Sequence, residues 1–215
     1  MYKAKKFISY MALCVLIFSL CACGEKGSEN AAIYGETVGE LEDNELFAII
    51  DTNASLPVLL VTSQVYNDGL GNQAALNCDV YYLIDKEVRN IGTIESMGTA
   101  YPIAYDETGI YAASGHDMQR FEIEKSGSLR LAEGIYEQFD ESGNAAYTMK
   151  KGDETKVITE EEYYAVFEKY NDATIVSFSY GASDTGNASV VTNKELEASQ
   201  GSITEDINVP EIVQQ

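Results

Sequence analysis

Cationic side chains are scarce in this chain. Fourteen Lys and Arg stand against 35 Asp and Glu in 215 residues, for a formal net charge of −21. Nucleic-acid binding draws on cations that displace phosphate counterions, so that class of partner is excluded. An acidic domain is also repelled by anionic lipid and anionic wall polymers, so any membrane attachment needs something other than surface charge. Tryptophan is absent, although tyrosine occurs 15 times. Histidine occurs once, at His116. There is no Gly-x-Ser-x-Gly, no His-Glu-x-x-His and no phosphate-cradling glycine loop. Long apolar runs are missing beyond the stretch from Phe7 to Leu20. That run is shorter than the roughly 20 residues a spanning helix needs.

Cysteine is sparse as well, and its placement is informative. Cys14 and Cys21 lie in or beside the apolar run, Cys23 follows at once, and Cys78 stands alone. Lys3, Lys5 and Lys6 precede the run, and the small Ala22 closes it. Positive n-region, apolar h-region and small cleavage residue are the three parts of a secretory signal over 1–22. Leu20-Cys21-Ala22-Cys23 resembles a bacterial lipobox. That resemblance implies a diacylglyceryl group on Cys23, loss of Cys21 with the signal peptide, and a cell-membrane protein facing the extracellular side. Acyl chains contribute about 0.8 kcal/mol per buried methylene, enough for stable anchorage with two chains. Processing would leave 11 basic against 35 acidic side chains. Cys78 would then lack an intramolecular partner, so the exported domain is expected to be stable without a disulfide. Cys78 reads as a small buried hydrophobe in a strand, with a reactive thiol as the rival reading.

Composition divides the mature chain into three. Residues 23–45 are polar and acidic and read as a flexible tether with a short helix near its end. Residues 181–215 are rich in Ser, Thr, Asn, Asp and Glu and read as a disordered tail. Between them, 46–180 reads as one mainly β (α+β) domain. Apolar runs at 46–50 and 57–61 have strand length. Cys78, Val80, Tyr82 and Ile84 share one face of a strand, and Asp85-Lys86 makes a tight turn after it. Phe121 and Ile123 alternate with Arg120, Glu122 and Glu124, and Leu129 and Leu131 flank Arg130. Gly-containing turns recur at 106–109, 114–117, 125–128, 141–144 and 151–153. Connections that short join antiparallel neighbours, so the expected sheet is a meander.

One helix is signalled near 160–170. Thr159 with Glu162 three residues on forms a capping box, and Ile158 can staple onto Tyr163. Three glutamates suit the positive end of the helix dipole. Tyr163, Phe167 and Tyr170 fall on one face, expected to pack on the sheet. Thr174 to Phe178 is expected to return as a last strand.

Candidate chemistry is thin. Asp51, Asn53 and Ser55 alternate like the first ligands of a calcium loop. Position six is Leu56 where a sharp turn wants Gly, and position twelve is Thr62 where a bidentate Glu would complete the shell. The bland reading is a strand-connecting loop, and no cofactor is expected beyond the lipid. Ser114-Gly115-His116-Asp117 holds catalytic residue types, but neighbours in one turn rarely attain nucleophile–base geometry. Tyr101, Tyr105 and Tyr111 lie in a less alternating stretch and are the candidate binding face, a platform for a glycan or an envelope protein; tyrosines packed on the sheet are the alternative.

The run FAIIDTNASLPVLLV resembles a degenerate form of the Asp-x-Asp-Gly-Asp-Gly-x-x-Glu-Leu loop that joins two strands in calcium-binding repeats. It is also similar to the opening of β-rich domains in clostridial cell-surface lipoproteins of unknown function, in which a strand meander leads to a late helix with an acidic start. Asp51, Asn53 and Leu59 fit the loop pattern, while Ala54, Ser55 and Val58 depart on its ion-binding side. The resemblance therefore implies a fold and a location rather than a metal site. The sequence points to a lipid-anchored, non-enzymatic binding module of the envelope. An envelope hydrolase using Asp51 or His116, and a solute receptor for an importer, are the competing expectations.

Overall fold

The computed structural model describes residues 33–180. The expected signal peptide, Cys23, the start of the tether and the tail lie outside the described residues. Within them the chain is mainly antiparallel β structure. Four strands, β1 (Leu46–Ile50), β2 (Val58–Thr62), β5 (Asn77–Ile84) and β6 (Glu87–Glu95), form one sheet in the order β1-β2-β5-β6. Between β2 and β5 a small hairpin pairs β3 (Tyr66–Asn67) with β4 (Gln73–Ala74).

The second sheet has seven strands. β7 (Ala104–Asp106), β8 (Gly109–Ala113), β9 (Asp117–Ile123), β10 (Leu129–Phe139), β11 (Ala145–Lys151) and β12 (Glu154–Ile158) follow one another as an antiparallel meander. All five Gly-containing turns expected from sequence lie in its hairpin connections. The last strand, β13 (Thr174–Ile175), pairs with β7 at the opposite edge from β12.

The two sheets pack face to face. Leu46, Ala48 and Ile50 of β1, Val58 and Leu60 of β2, and Cys78, Val80 and Tyr82 of β5 meet Ile110 and Ala112 of β8 and Ile123 of β9. The expected β5 face therefore holds. Each fully buried Val, Leu or Ile contributes about 1.5–3 kcal/mol. A helix covers each outer face. The first, α1, runs through 33–39 and sets the fully buried Tyr34 against Leu59 and Val61. The Tyr34 hydroxyl donates to the Pro57 carbonyl at 2.6 Å. The second, α2 (Glu160–Asn171), lies on the seven-stranded sheet through Tyr163 and Tyr170. Layer order is thus helix, sheet, sheet, helix. It explains why β2 and β8 are buried at every position. Both are covered on two faces, which removes the polar alternation of a half-exposed strand.

Three details depart from the sequence expectation. First, the segment at 33–45 is part of the folded domain where a tether was expected. Ile33, Val38 and Leu41 join Tyr34 on the sheet, and that apolar spacing outweighs the acidic composition around it. Second, the short helix expected near the end of that segment lies earlier in it, over 33–39. Third, the chain after β13 changes sheets. Val176 N–H donates to Ile103 O at 3.0 Å, Phe178 N–H to Gln73 O at 2.9 Å, and Ser179 pairs with Phe47 of β1. This segment ties both sheets together.

The α2 cap matches its reading. Thr159 Oγ1 accepts from Glu162 N at 3.2 Å, and Glu162 Oε2 accepts from Thr159 N at 2.9 Å. Ile158 and Tyr163 share one cluster, as a staple requires. Asp85 and Lys86 both have positive φ, 52° and 70°, as a two-residue hairpin turn demands.

Candidate functional site

The helix face of the seven-stranded sheet carries a row of charge. Cross-strand pairing sets Tyr111 beside Arg120, Arg120 beside Glu133, Glu133 beside Lys151, and Lys151 beside Glu154. Opposite charges in register on one face attract. A bulge makes this row. β10 shifts register between Leu131 and Glu133, leaving Ala132 as the extra residue. One extra residue reverses which face the following side chains meet. Leu129 accordingly packs in the sandwich, while Ile135, six residues on, packs beneath α2. The same shift turns Glu133 to the helix side.

Glu133 is buried at 3% exposure. Lys169, near the end of α2, donates to its Oε2 at 2.7 Å. Arg120 Nε lies 3.9 Å from the same oxygen, and Lys151 Nζ 4.0 Å from Oε1. Arg120 also donates through Nη1 to Thr108 O at 2.8 Å and to Glu122 Oε1 at 2.5 Å. A carboxylate out of water demands such pairing.

Over this row opens a cleft of about 390 Å³, lined by Asp106, Thr108, Tyr111, Arg120, Lys169 and Asp172. Its size falls in the range of small-ligand sites. The β7–β8 turn forms one wall. Asp106 Oδ1 accepts from Thr108 N at 2.6 Å, Thr108 Oγ1 at 2.7 Å and Gly109 N at 3.1 Å. The Tyr111 hydroxyl donates to Asp106 Oδ2 at 2.9 Å. Burial pushes the Tyr111 phenol well above its ordinary range, and the Asp106 charge adds to that. Gly109 has to be Gly here, because a Cβ would collide with the Phe121 carbonyl oxygen. The other wall is the C-terminal end of α2. Asp172, its C-cap, is exposed, and Lys169 keeps 46% of its side chain in solvent. The cleft therefore presents carboxylate, ammonium, guanidinium and hydroxyl groups together.

The residues singled out in the sequence are placed otherwise. Tyr111 is fully buried, and Tyr101 and Tyr105 are half-buried. Tyr105 packs into the sandwich, whereas Tyr101 packs under α2 against Phe167 and Tyr170. The three rings do not form one exposed platform. The β7–β8 hairpin is covered on both faces, so neighbouring tyrosines are drawn into different cores. Tyr111 still reaches the cleft through its hydroxyl.

Asp51, Asn53 and Ser55 are exposed in the β1–β2 loop. The Ser55 hydroxyl lies 3.0 Å from that of Tyr82, which also accepts from Leu56 N at 3.2 Å. Ser55 is thus tied to the sandwich rather than gathered with Asp51. Among the described residues, no three His, Cys, Asp or Glu side chains converge as a metal set. His116 sits in the β8–β9 turn, where its Nδ1 lies 2.8 Å from Glu137 Oε2. The Ser114 hydroxyl oxygen accepts from the His116 backbone N–H instead of meeting its ring. Cys78 is buried, and burial pushes its thiol far above the ordinary value, so it behaves as an inert hydrophobe.

Sequence reasoning missed Glu133, Lys169 and Asp172 as a group. Arg120 and Glu133 are 13 positions apart, and only the bulged register brings them opposite one another. No local signal announces that. Comparison with protein-family models, with curated proteins and with solved structures gives no match, so the reading of this chain rests on its own residues.

Proposed function

We propose that this chain is a lipid-anchored protein of the extracellular surface, and that its domain is a non-enzymatic binding module for a component of the envelope. Location is inferred from the signal-like N-terminus and from Cys23 in its lipobox-like setting. The folded domain begins by residue 33, and the nine residues 24–32 reach roughly 30 Å when fully extended. The domain would therefore work close to the bilayer, held by the lipid rather than by charge. Nucleic acid stays excluded by the acidic balance, and no cofactor is assigned.

The observation that carries the binding role is the cleft with both signs of charge. Lys169 keeps 46% of its side chain in solvent, and the exposed Asp172 lines the same cleft. A ligand with an anionic and a cationic group, such as an amino acid or a peptide end, matches that pair. Free amino acids and dipeptides serve as probes in thermal melts, because a ligand that binds the folded state raises its stability. The expected result is a rise in melting temperature that disappears in Lys169→Ala and Asp172→Asn. No rise with any probe removes the cleft as a zwitterion site. The anchor is tested separately by fractionating Cys23→Ala. A variant as membrane-associated as the wild type would falsify the lipid attachment.

A further inference from the structure

The uncovered end of the helix face has a second character. α2 begins at Glu160, and the β10–β11 hairpin continues past it to Phe139 and Ala145. Two large rings stand in solvent there: Phe139 and Tyr164 are 56% exposed each. Each is held by a ring neighbour. Phe139 meets His116 edge-on at 5.5 Å and 86°. Tyr164 meets the buried Tyr163 edge-on at 5.3 Å and 86°. Edge-on contacts of this kind fix ring orientation through the ring quadrupole.

Between the rings lies a positioned acceptor. Glu137 keeps only 12% of its side chain in solvent. His116 Nδ1 stands 2.8 Å from its Oε2. Glu137 and Tyr147 are cross-strand partners, and Tyr147 packs on Tyr163 at 5.1 Å. The contacts thus run continuously from Phe139 through His116, Glu137 and Tyr147 to the Tyr163–Tyr164 pair.

We infer that this ledge, formed by His116, Glu137, Phe139, Tyr147 and Tyr164, binds an uncharged oligosaccharide. A sugar ring offers a face of C–H bonds, which suits the negative face of an aromatic ring, and an edge of hydroxyl groups. Glu137 and the imidazole are fixed to meet those hydroxyls. Pre-ordered side chains avoid the entropy of being ordered on binding. Charge selects the class of glycan. A chain of net charge −21 with Glu137, Asp117 and Glu160 nearby repels anionic polymers and nucleic acid. A protein partner suits the ledge less well, because polar groups divide the two rings. The ledge shares no lining residue with the cleft, so it stands or falls independently of that site.

The test is calorimetric titration of the purified full-length chain with two neutral probes, chitotetraose and cellotetraose, and one anionic control, polygalacturonate. Exothermic binding of at least one neutral probe, and none of the anionic polymer, is expected. Phe139→Ala and Tyr164→Ala should each weaken binding about tenfold, and Tyr164→Phe should preserve it. Because both rings are exposed, melting temperatures should move by no more than about 2 °C, which separates lost binding from lost folding. Absence of neutral-probe binding overturns the inference. So does equal binding to polygalacturonate, or wild-type affinity in the double alanine variant. A wild-type dimer that becomes monomeric in that variant would make the ledge a subunit interface and overturn it too.

Discussion

The seven-stranded sheet buries its two faces by different means. Its sandwich face is covered by another sheet and is largely aliphatic, built on Ile110, Ala112 and Ile123. Its opposite face is covered by one helix and mixes tyrosines with the Arg120–Glu133 row. Dimensions explain the contrast. The 12 residues of α2 span about 18 Å at 1.5 Å per residue. Seven strands spaced at about 4.8 Å extend roughly 29 Å. One helix cannot cover such a face. What it leaves uncovered must tolerate water, and polar and aromatic side chains do so. Both candidate binding sites lie there, the cleft at the C-terminal end of α2 and the ledge at its N-terminal end.

The largest effect should come from the aliphatic face. Ile110→Ala is expected to cost about 4 kcal/mol, through lost burial and the cavity left behind. Urea denaturation would report it as a lower midpoint at unchanged slope. A cost below about 1 kcal/mol would mean that the two sheets do not share one close-packed core. On the helix face, Glu133→Ala should cost about 3 kcal/mol, because it strips a buried partner from Arg120. Lys169→Ala should cost less, about 1 kcal/mol, since that side chain is half in water. Equal costs for the two would contradict Glu133 as the centre of the cluster.

A finer distinction lies among the tyrosines. The Tyr163 hydroxyl is buried without a hydrogen-bond partner among the described residues, whereas that of Tyr170 donates to Pro102 O at 2.8 Å. Removing an unsatisfied group relieves its desolvation cost, so Tyr163→Phe should stabilise by about 1 kcal/mol and Tyr170→Phe destabilise by as much. Opposite signs in paired melts would confirm that the helix face is imperfectly satisfied; the same sign in both would not.

The smallest effect concerns pH. The Thr159 backbone N–H holds the Glu162 carboxyl below its ordinary 4.5. A lowered carboxyl stabilises the fold above its unfolded value, and that contribution is lost as pH falls through the folded value. Acid should therefore loosen the cap of α2. In Glu162→Gln the melting temperature should fall less steeply than in the wild type below about pH 5. Parallel curves for the two proteins would show that the box does not couple α2 to pH.

Much of the architecture is legible locally. The turns at 106–109 and 114–117 each close a hairpin because Gly and Asp stabilise turns wherever they fall. The capping box of α2 acts within four residues, so sequence alone reveals it. The two-sided burial of β8 is visible only as weak alternation, which left Tyr101, Tyr105 and Tyr111 open to a surface reading. The packing of 33–41 depends on a face of β1 and β2 that local sequence does not display. The Ala132 bulge likewise carries no local mark.

By itself, the sequence determined an acidic, mainly antiparallel β domain with one well-capped helix. Those properties follow from composition, period-two alternation and turn chemistry, all of short range. Tertiary structure alone decided that two sheets stack, that α1 belongs to the fold, and that Glu133 meets Arg120 and Lys169. Each of these depends on register or on the packing of distant segments. A single inserted residue at Ala132 changes which face a side chain meets, and only the assembled sheet reveals that it has.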